Sequence, residues 1–126
     1  MPDILVAGGG PAGAVAALIL ARRGYPVRLA DPLTPPAPRI ESLAASALPL
    51  AADLGILPVL EAACLGRAAA MELDWRDRPE RRTFETDAPW LLSRAALHRG
   101  LRDAAAAAGA RIVAQRVARP APGALR

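Results

Sequence analysis

The sequence predicts an α/β fold built on a parallel sheet, and three observations carry that prediction. The short apolar run Ile4-Leu5-Val6-Ala7 has the length and composition of a strand buried on both faces. A glycine-spaced turn, Gly8-x-Gly10-x-x-Gly13, follows it at once and leads into a stretch with helical apolar spacing as far as Arg22. After Gly24, a second short run from Val27 to Ala30 ends on an acid, Asp31. Strand, crossover helix and second parallel strand make one βαβ unit over residues 3–31.

Each part of that unit has a physical reason. Gly8 permits a sharp turn out of the strand. Gly10 has no Cβ, so a phosphate can approach the backbone, and Gly13 lets the helix pack closely on the strand. Pro11 suits the first helical position, where its missing N–H costs nothing, and Ala12 follows it. Val15, Leu18, Ile19 and Arg22 follow the helical period, with the aliphatic members toward the sheet. The N–H groups at the start of the helix and the positive end of its dipole make an anion site. Asp31 can accept hydrogen bonds from ribose hydroxyls, and its charge repels a 2′-phosphate. Three glycines alone would serve equally well as a plain strand-to-helix connection. The flanking strand, helix and acid move the reading to a dinucleotide site.

Downstream, Thr34-Pro35-Pro36-Ala37-Pro38 reads as a loop. Ser42 to Leu48 reads as a helix with Ser42 as N-cap, and Pro49 starts a second helix or kinks the first. Leu50 and Leu54 keep an apolar face until Gly55 stops it. Pro58 to Ala63 is a further short helix. Met71 to Trp75 alternates apolar and acidic residues, as a half-buried strand does, with Arg82 to Thr86 as its partner across a charged turn through Pro79. Ser93 to Ala108 is a second long helix, capped by Ser93 and stopped by Gly109, with Leu97, Leu101, Ala105 and Ala108 as its buried stripe. Arg111 to Ala114 is a third parallel strand beside Val27 to Ala30, which gives the sheet order third, second, first. The residues from Pro120 onward read as a frayed tail.

Composition limits the functional classes. Of the 126 residues, 53% are hydrophobic but only 3% aromatic, so alanine supplies much of the core. All basic residues are arginine, and the net charge is +4. The densest basic group, Arg76, Arg78, Arg81 and Arg82, is interleaved with Asp74, Asp77, Glu80 and Glu85. That is a solvated mixed-charge surface, not a nucleic-acid site. The lone Cys64 supports neither a disulfide framework nor a metal cluster, and reads as a small buried hydrophobe. With no signal peptide and no charge-free run of membrane-spanning length, a cytoplasmic protein without membrane association is expected.

Other polar candidates carry two readings each. Arg94 stands near the start of the second long helix, poised for a dinucleotide phosphate or ribose, or else as an exposed helix arginine. Arg39, Glu41 and Ser42 follow the proline loop and either reach a cofactor or cap a helix. His98, the single histidine, reads as a solvated group on an alanine-rich helix, and no Ser–His–Asp constellation surrounds it. Trp75 and Trp90 read as core or interdomain packing.

These residues resemble a known family. Val6-Ala-Gly-Gly-Gly10-Pro-Ala-Gly13, with Gly24 and Asp31, is similar to the FAD-binding start of the flavin-dependent monooxygenases related to p-hydroxybenzoate hydroxylase and the tryptophan halogenases. Arg39-Ile-Glu-Ser-Leu43 with Pro49 and Leu54-Gly55-Ile56 resembles the family's segment after the second strand. Trp90-Leu-Leu-Ser-Arg94-Ala-Ala-Leu97 resembles its R-x-x-L helix, whose arginine contacts the cofactor. The match spans residues 3 to 114.

The resemblance implies a Rossmann-like, three-layer FAD/NAD(P)-binding fold seen in its N-terminal portion. Residues 1–66 and 87–117 would form the dinucleotide-binding part, residues 67–86 the start of a substrate-domain sheet, and residues 118–126 a tail. It implies FAD as cofactor, NAD(P)H as transient reductant and oxygen transfer to a small-molecule substrate. Gly8, Gly10, Pro11, Ala12 and Gly13 would form the pyrophosphate turn and Asp31 the ribose contact. Arg94 would brace the phosphate side, and Arg39 would be a further cofactor contact. No residue is named as a catalytic acid or base. The chain departs from the family in length, since the later flavin-contacting segments would lie past residue 126. It also lacks the halogenases' lysine, which argues against halogenation, and the glycine they carry before the Glu-Ser pair. The competing expectations are a truncated, non-catalytic fragment with weak or no cofactor binding, and a plain NAD-binding domain. An incomplete sheet would leave an edge through which chains associate.

Overall fold

A computed structural model describes residues 2–75 and 77–118. The elements in chain order are β1 (Ile4–Ala7), α1 (Pro11–Arg22), β2 (Val27–Asp31), β3 (Ile40–Leu43), α2 (Leu48–Asp53), α3 (Leu57–Ala63), β4 (Cys64–Arg67), β5 (Ala70–Trp75), β6 (Arg78–Thr83), β7 (Trp90–Ser93), α4 (Arg94–Ala107) and β8 (Arg111–Ala114). The chain divides into two compact units, Met1–Pro35 with Leu101–Arg126, and Pro36–Gly100. The tail expected from Pro120 lies outside the described residues, as does Arg76 of the mixed-charge group.

In the first unit, β1, β2 and β8 form a parallel sheet in the order β1-β2-β8, with Val6 opposite Leu29 and Leu29 opposite Ile112. This is the order read from the sequence. Leu29 is fully buried at its centre. The buried face of α1 is Ala14, Ala17, Leu18 and Ala21, whereas Val15 and Ile19, expected on that face, are half-buried beside it. Small side chains win the contact because the glycine turn brings the helix close to the strand. The stripe on α4 holds for Leu97, Leu101 and Ala105, but Ala108 is only half-buried and Ala110 takes the last buried place. Both helices end alike. Gly24 and Tyr25 bond back to Ala21 and Leu20, and Gly109 and Ala110 to Ala106 and Ala105, which closes the last turn.

The second unit departs most from the sequence reading. Ile40 to Leu43 is a strand, and the helix expected over Ser42 to Leu48 is a short 3₁₀ turn at Ala45–Ala47 followed by α2. Ser42 caps nothing there: Ala44 holds the cap position of the 3₁₀ turn, without a side-chain bond. The reason is pairing. β3 lies antiparallel to β7, with Ile40 opposite Ser93 and Leu43 opposite Trp90, and β4 covers the other side of β7. Leu92 and Trp90 are buried on this sheet, and the Arg67 guanidinium lies 5.2 Å from the Trp90 ring centre. Cys64 starts β4 half-buried, its thiol donating to the Gly66 carbonyl, and is not the buried hydrophobe expected.

β5 and β6 pair antiparallel as a separate two-stranded sheet. The partner strand runs from Arg78 to Thr83, not Arg82 to Thr86, so Pro79 lies inside the strand opposite Asp74, and Asp77 takes the left-handed turn conformation at φ 66°. A strand with one unpaired side tolerates proline, which has no N–H to give. Trp75 is 70% exposed and does not pack in a core. Among the described residues no helix is long and apolar enough to cross a membrane.

Candidate cofactor site

The candidate site of the first unit sits where β1 runs into α1. The Gly8 N–H still donates to Ala30 O at 2.8 Å, so the sheet ladder continues to the first glycine. There the chain turns, and Gly8 takes φ 99°, a conformation that residues with a Cβ rarely adopt. Gly10 caps α1 with extended backbone angles, Pro11 occupies the first helical turn, and Ala14 N bonds Gly10 O at 2.9 Å. No side chain caps this helix and no acid lies in its first turn. The N–H groups of Ala12 and Gly13 therefore have neither an intrahelical acceptor nor a capping carboxylate, the condition for receiving an anion.

Two glycines have opposite surroundings. A Cβ at Gly13 would stand 1.9 Å from Gly8 O and 3.5 Å from Val6 Cγ1, so helix and turn touch here through bare backbone. A Cβ at Gly10 would meet nothing within 4 Å, and the same holds at Gly8. The mouth of the turn is open on the side where a pyrophosphate would approach. On this observation the residues fit the phosphate bridge of a dinucleotide.

Asp31 is aimed at the turn. Its Oδ2 accepts the Gly9 N–H at 2.7 Å and its Oδ1 accepts the Leu33 N–H at 2.7 Å. Both are short, charge-assisted bonds. The carboxylate expected to meet a ribose thus also fastens the end of β2 to the glycine turn and holds Leu33 in its left-handed conformation at φ 57°. Gly9, which the x of the glycine pattern leaves unspecified, is buried against this carboxylate, and its carbonyl accepts from Arg102 Nη1 at 3.3 Å. Sequence reasoning missed both residues. The run of three glycines was a visible sign for Gly9. No local sign marks Arg102, which lies 93 positions from Gly9.

Arg39 and Arg94 lie in the second unit. Arg94 N bonds Arg39 O at 3.0 Å, which extends the β3–β7 ladder, and Ser93 Oγ accepts the Ala96 N–H at 3.3 Å, which caps α4 as expected. The Arg94 guanidinium is about one-third exposed and pairs through Nε with Glu41. Glu41 therefore positions Arg94. This bond uses one of the five donors of the guanidinium. Arg39 and Ser42 are exposed, and His98 is half-buried on α4, not a fully solvated group.

A separate depression of about 390 Å³, lined by Asp3, Leu5, Arg28 and Arg111 among others, lies at the amino ends of the parallel strands. Ligands of parallel α/β sheets bind at the carboxyl ends, where the glycine turn and Asp31 are, so this depression is not the cofactor site.

No curated protein matches this chain. Solved structures do. A peptidyl tryptophan dihydroxylase essential for tryptophylquinone cofactor biogenesis is 29% identical, with a TM-score of 0.69 over 89% of this chain and 24% of its own. The tetrameric form of 2-methyl-3-hydroxypyridine-5-carboxylic acid oxygenase is 28% identical, with a TM-score of 0.68 over 90% of this chain and 31% of its own. A myxobacterial FAD-dependent chondrochloren halogenase, at 24% identity, shares the fold with a TM-score of 0.70 over 87% of this chain and 28% of its own. The chain thus spans between a quarter and a third of the length of these proteins. The family described as FAD binding domain matches residues 1–118, and with the open glycine turn and the acid beside it, this chain belongs to that family.

Proposed function

We propose that this chain supplies the adenosine-diphosphate grip of an FAD-dependent oxidoreductase of the monooxygenase type. The observation that carries the reading is the turn itself: Gly9 N–H tied to Asp31, Gly13 pressed on Gly8 O, and Gly10 open to the outside. The names of the two relatives above one-quarter identity, a dihydroxylase and an oxygenase, support the reaction class. Bound FAD would supply the redox chemistry, taking electrons from NAD(P)H and activating oxygen toward a small-molecule substrate. The residues here have binding roles only. The amides of Gly10, Ala12 and Gly13 meet the pyrophosphate, Asp31 meets the ribose, and Arg94, steadied by Glu41, and Arg39 are the further cofactor contacts.

No catalytic acid or base is assigned among these residues. We place it in the cytoplasm, without nucleic-acid or membrane partners, and expect copies to associate through unpaired sheet edges and exposed Leu5, Leu50 and Leu65. The test is purification followed by flavin titration. Visible flavin absorption that survives desalting is the expected result. A colourless protein that does not quench flavin fluorescence would end the cofactor reading.

A further inference from the structure

The Gly9–Gly10 peptide is held from a side that neither the glycine spacing nor the acid accounts for. Gly9 is buried; its N–H is fixed by Asp31 and its carbonyl by Arg102. A Cβ placed on Gly9 would stand 3.0 Å from Asp31 Cβ and 3.2 Å from Arg102 Cδ, so both side chains lie close against one face of the glycine.

Peptide planarity turns this grip into a direction. In a trans peptide the C=O and N–H point to opposite sides. The Gly9 N–H held by Asp31 sends the Gly8 carbonyl the other way, and Gly8 O is indeed turned toward the helix, where a Gly13 Cβ would collide with it. The Gly9 carbonyl held by Arg102 likewise sends the Gly10 N–H away from Arg102. A Cβ at Gly10, as at Gly8, would meet nothing within 4 Å, so the backbone there is open. Asp31 and Arg102 thus each hold one of two successive peptides, the first through the Gly9 N–H and the second through the Gly9 carbonyl. Arg102 reaches Gly9 because it follows Leu101, a buried member of the α4 stripe, and so stands at the margin of that stripe.

We propose that Arg102 is a positioning residue for the FAD pyrophosphate: through Gly9 it orients the Gly9–Gly10 peptide so that the Gly10 N–H is presented to phosphate, without touching the cofactor itself. This rests on the FAD reading of the turn. A charged donor lost from a buried carbonyl also leaves that carbonyl free to rotate, and the amide behind it rotates with it.

The experiment titrates the full chain and its R102L and R102K variants with FAD, followed by flavin fluorescence, with ADP and adenosine as competitors. R102L is expected to raise the dissociation constants of FAD and ADP roughly tenfold, the scale of one charged hydrogen bond. Adenosine, which carries no phosphate, competes unchanged. R102K keeps a cationic donor at the same place and recovers most of the loss. Equal affinity of R102L and the parent for FAD and ADP would overturn the role. So would equal weakening of all three ligands, since that marks a general structural effect. If R102L does not fold, R102Q, which removes the charge and shortens the reach to the Gly9 carbonyl, is titrated in its place: no change in the ratio of ADP to adenosine affinity overturns the proposal, and a selective loss for ADP supports it. A parent chain that binds no FAD overturns the cofactor reading beneath it, an outcome distinct from the others because no variant is then needed.

Discussion

One methyl group added at Gly13 and one added at Gly10 lead to opposite outcomes. At Gly13 the new atom would overlap Gly8 O, a backbone atom that cannot step aside without unmaking the turn. Gly13→Ala is expected to destabilise the fold by about 3 kcal/mol, read from denaturant unfolding. At Gly10 the backbone is at φ −70° and ψ −176°, which any residue adopts, and the methyl meets nothing. Gly10→Ala therefore leaves stability within about 0.5 kcal/mol of the parent. It fills the space a phosphate needs, and FAD affinity falls about tenfold or more, as one lost close contact would give. Asp31→Asn tests the acid. An amide has one acceptor oxygen where the carboxylate uses two, so either Gly9 or Leu33 loses its partner. About 1–2 kcal/mol of stability should go with it, along with weaker FAD binding. Unchanged unfolding of D31N would show that the two backbone bonds contribute nothing.

Among the elements, α4 carries an apparent contradiction. Gly100 lies inside it, where glycine costs about 1 kcal/mol relative to alanine. The explanation is contact within the second unit: a Cβ at Gly100 would stand 2.7 Å from Val59 Cγ1 on α3. Valine is stiff about its first side-chain torsion, so it cannot simply swing clear. Gly100→Ala is therefore expected to lower stability by about 1–2 kcal/mol despite its better helix propensity. With Val59→Ala as well, the alanine has room, and the pair should be more stable than the sum of the single changes. A stabilised G100A single variant, read as a raised melting temperature, would show that the helix moves freely away from α3.

At the level of the whole molecule, the cofactor should act as part of the fold. A ligand that binds only the native state at a hundred times its dissociation constant adds about 2.7 kcal/mol. For a chain of this length that corresponds to a rise in melting temperature of roughly 10 °C. FAD is expected to give this rise and NADH a much smaller one, measured by scanning fluorimetry or calorimetry. Equal shifts with both would favour a plain dinucleotide domain.

Little beyond local pattern was needed to read the first unit. The strand, the turn, the helix behind Pro11, the acid at the end of β2 and the parallel third strand all follow from spacing a few residues long, because an apolar strand and a tight turn each impose their own residue types; only the burial of β1 on both faces fails, since it is an edge strand that alternates half-buried and exposed residues and leaves Leu5 exposed. The second unit was misread where a segment's state depends on a distant partner. Ile40 to Leu43 suits a helix start as well as a strand, and only its antiparallel partner Trp90 to Ser93 makes it a strand. The same reason explains the two arginines. Arg94 was legible from its place at a helix start, but its tie to Glu41, 53 positions earlier, was not. Arg102 carried no local mark at all, since its role comes from a carbonyl 93 positions away. The sequence by itself determined the glycine turn, the acid and the sheet order, because these are set by backbone sterics and short-range period. Only the tertiary structure decided which side chains hold that turn in shape, because hydrogen bonds between distant segments exist only once packing has brought the segments together.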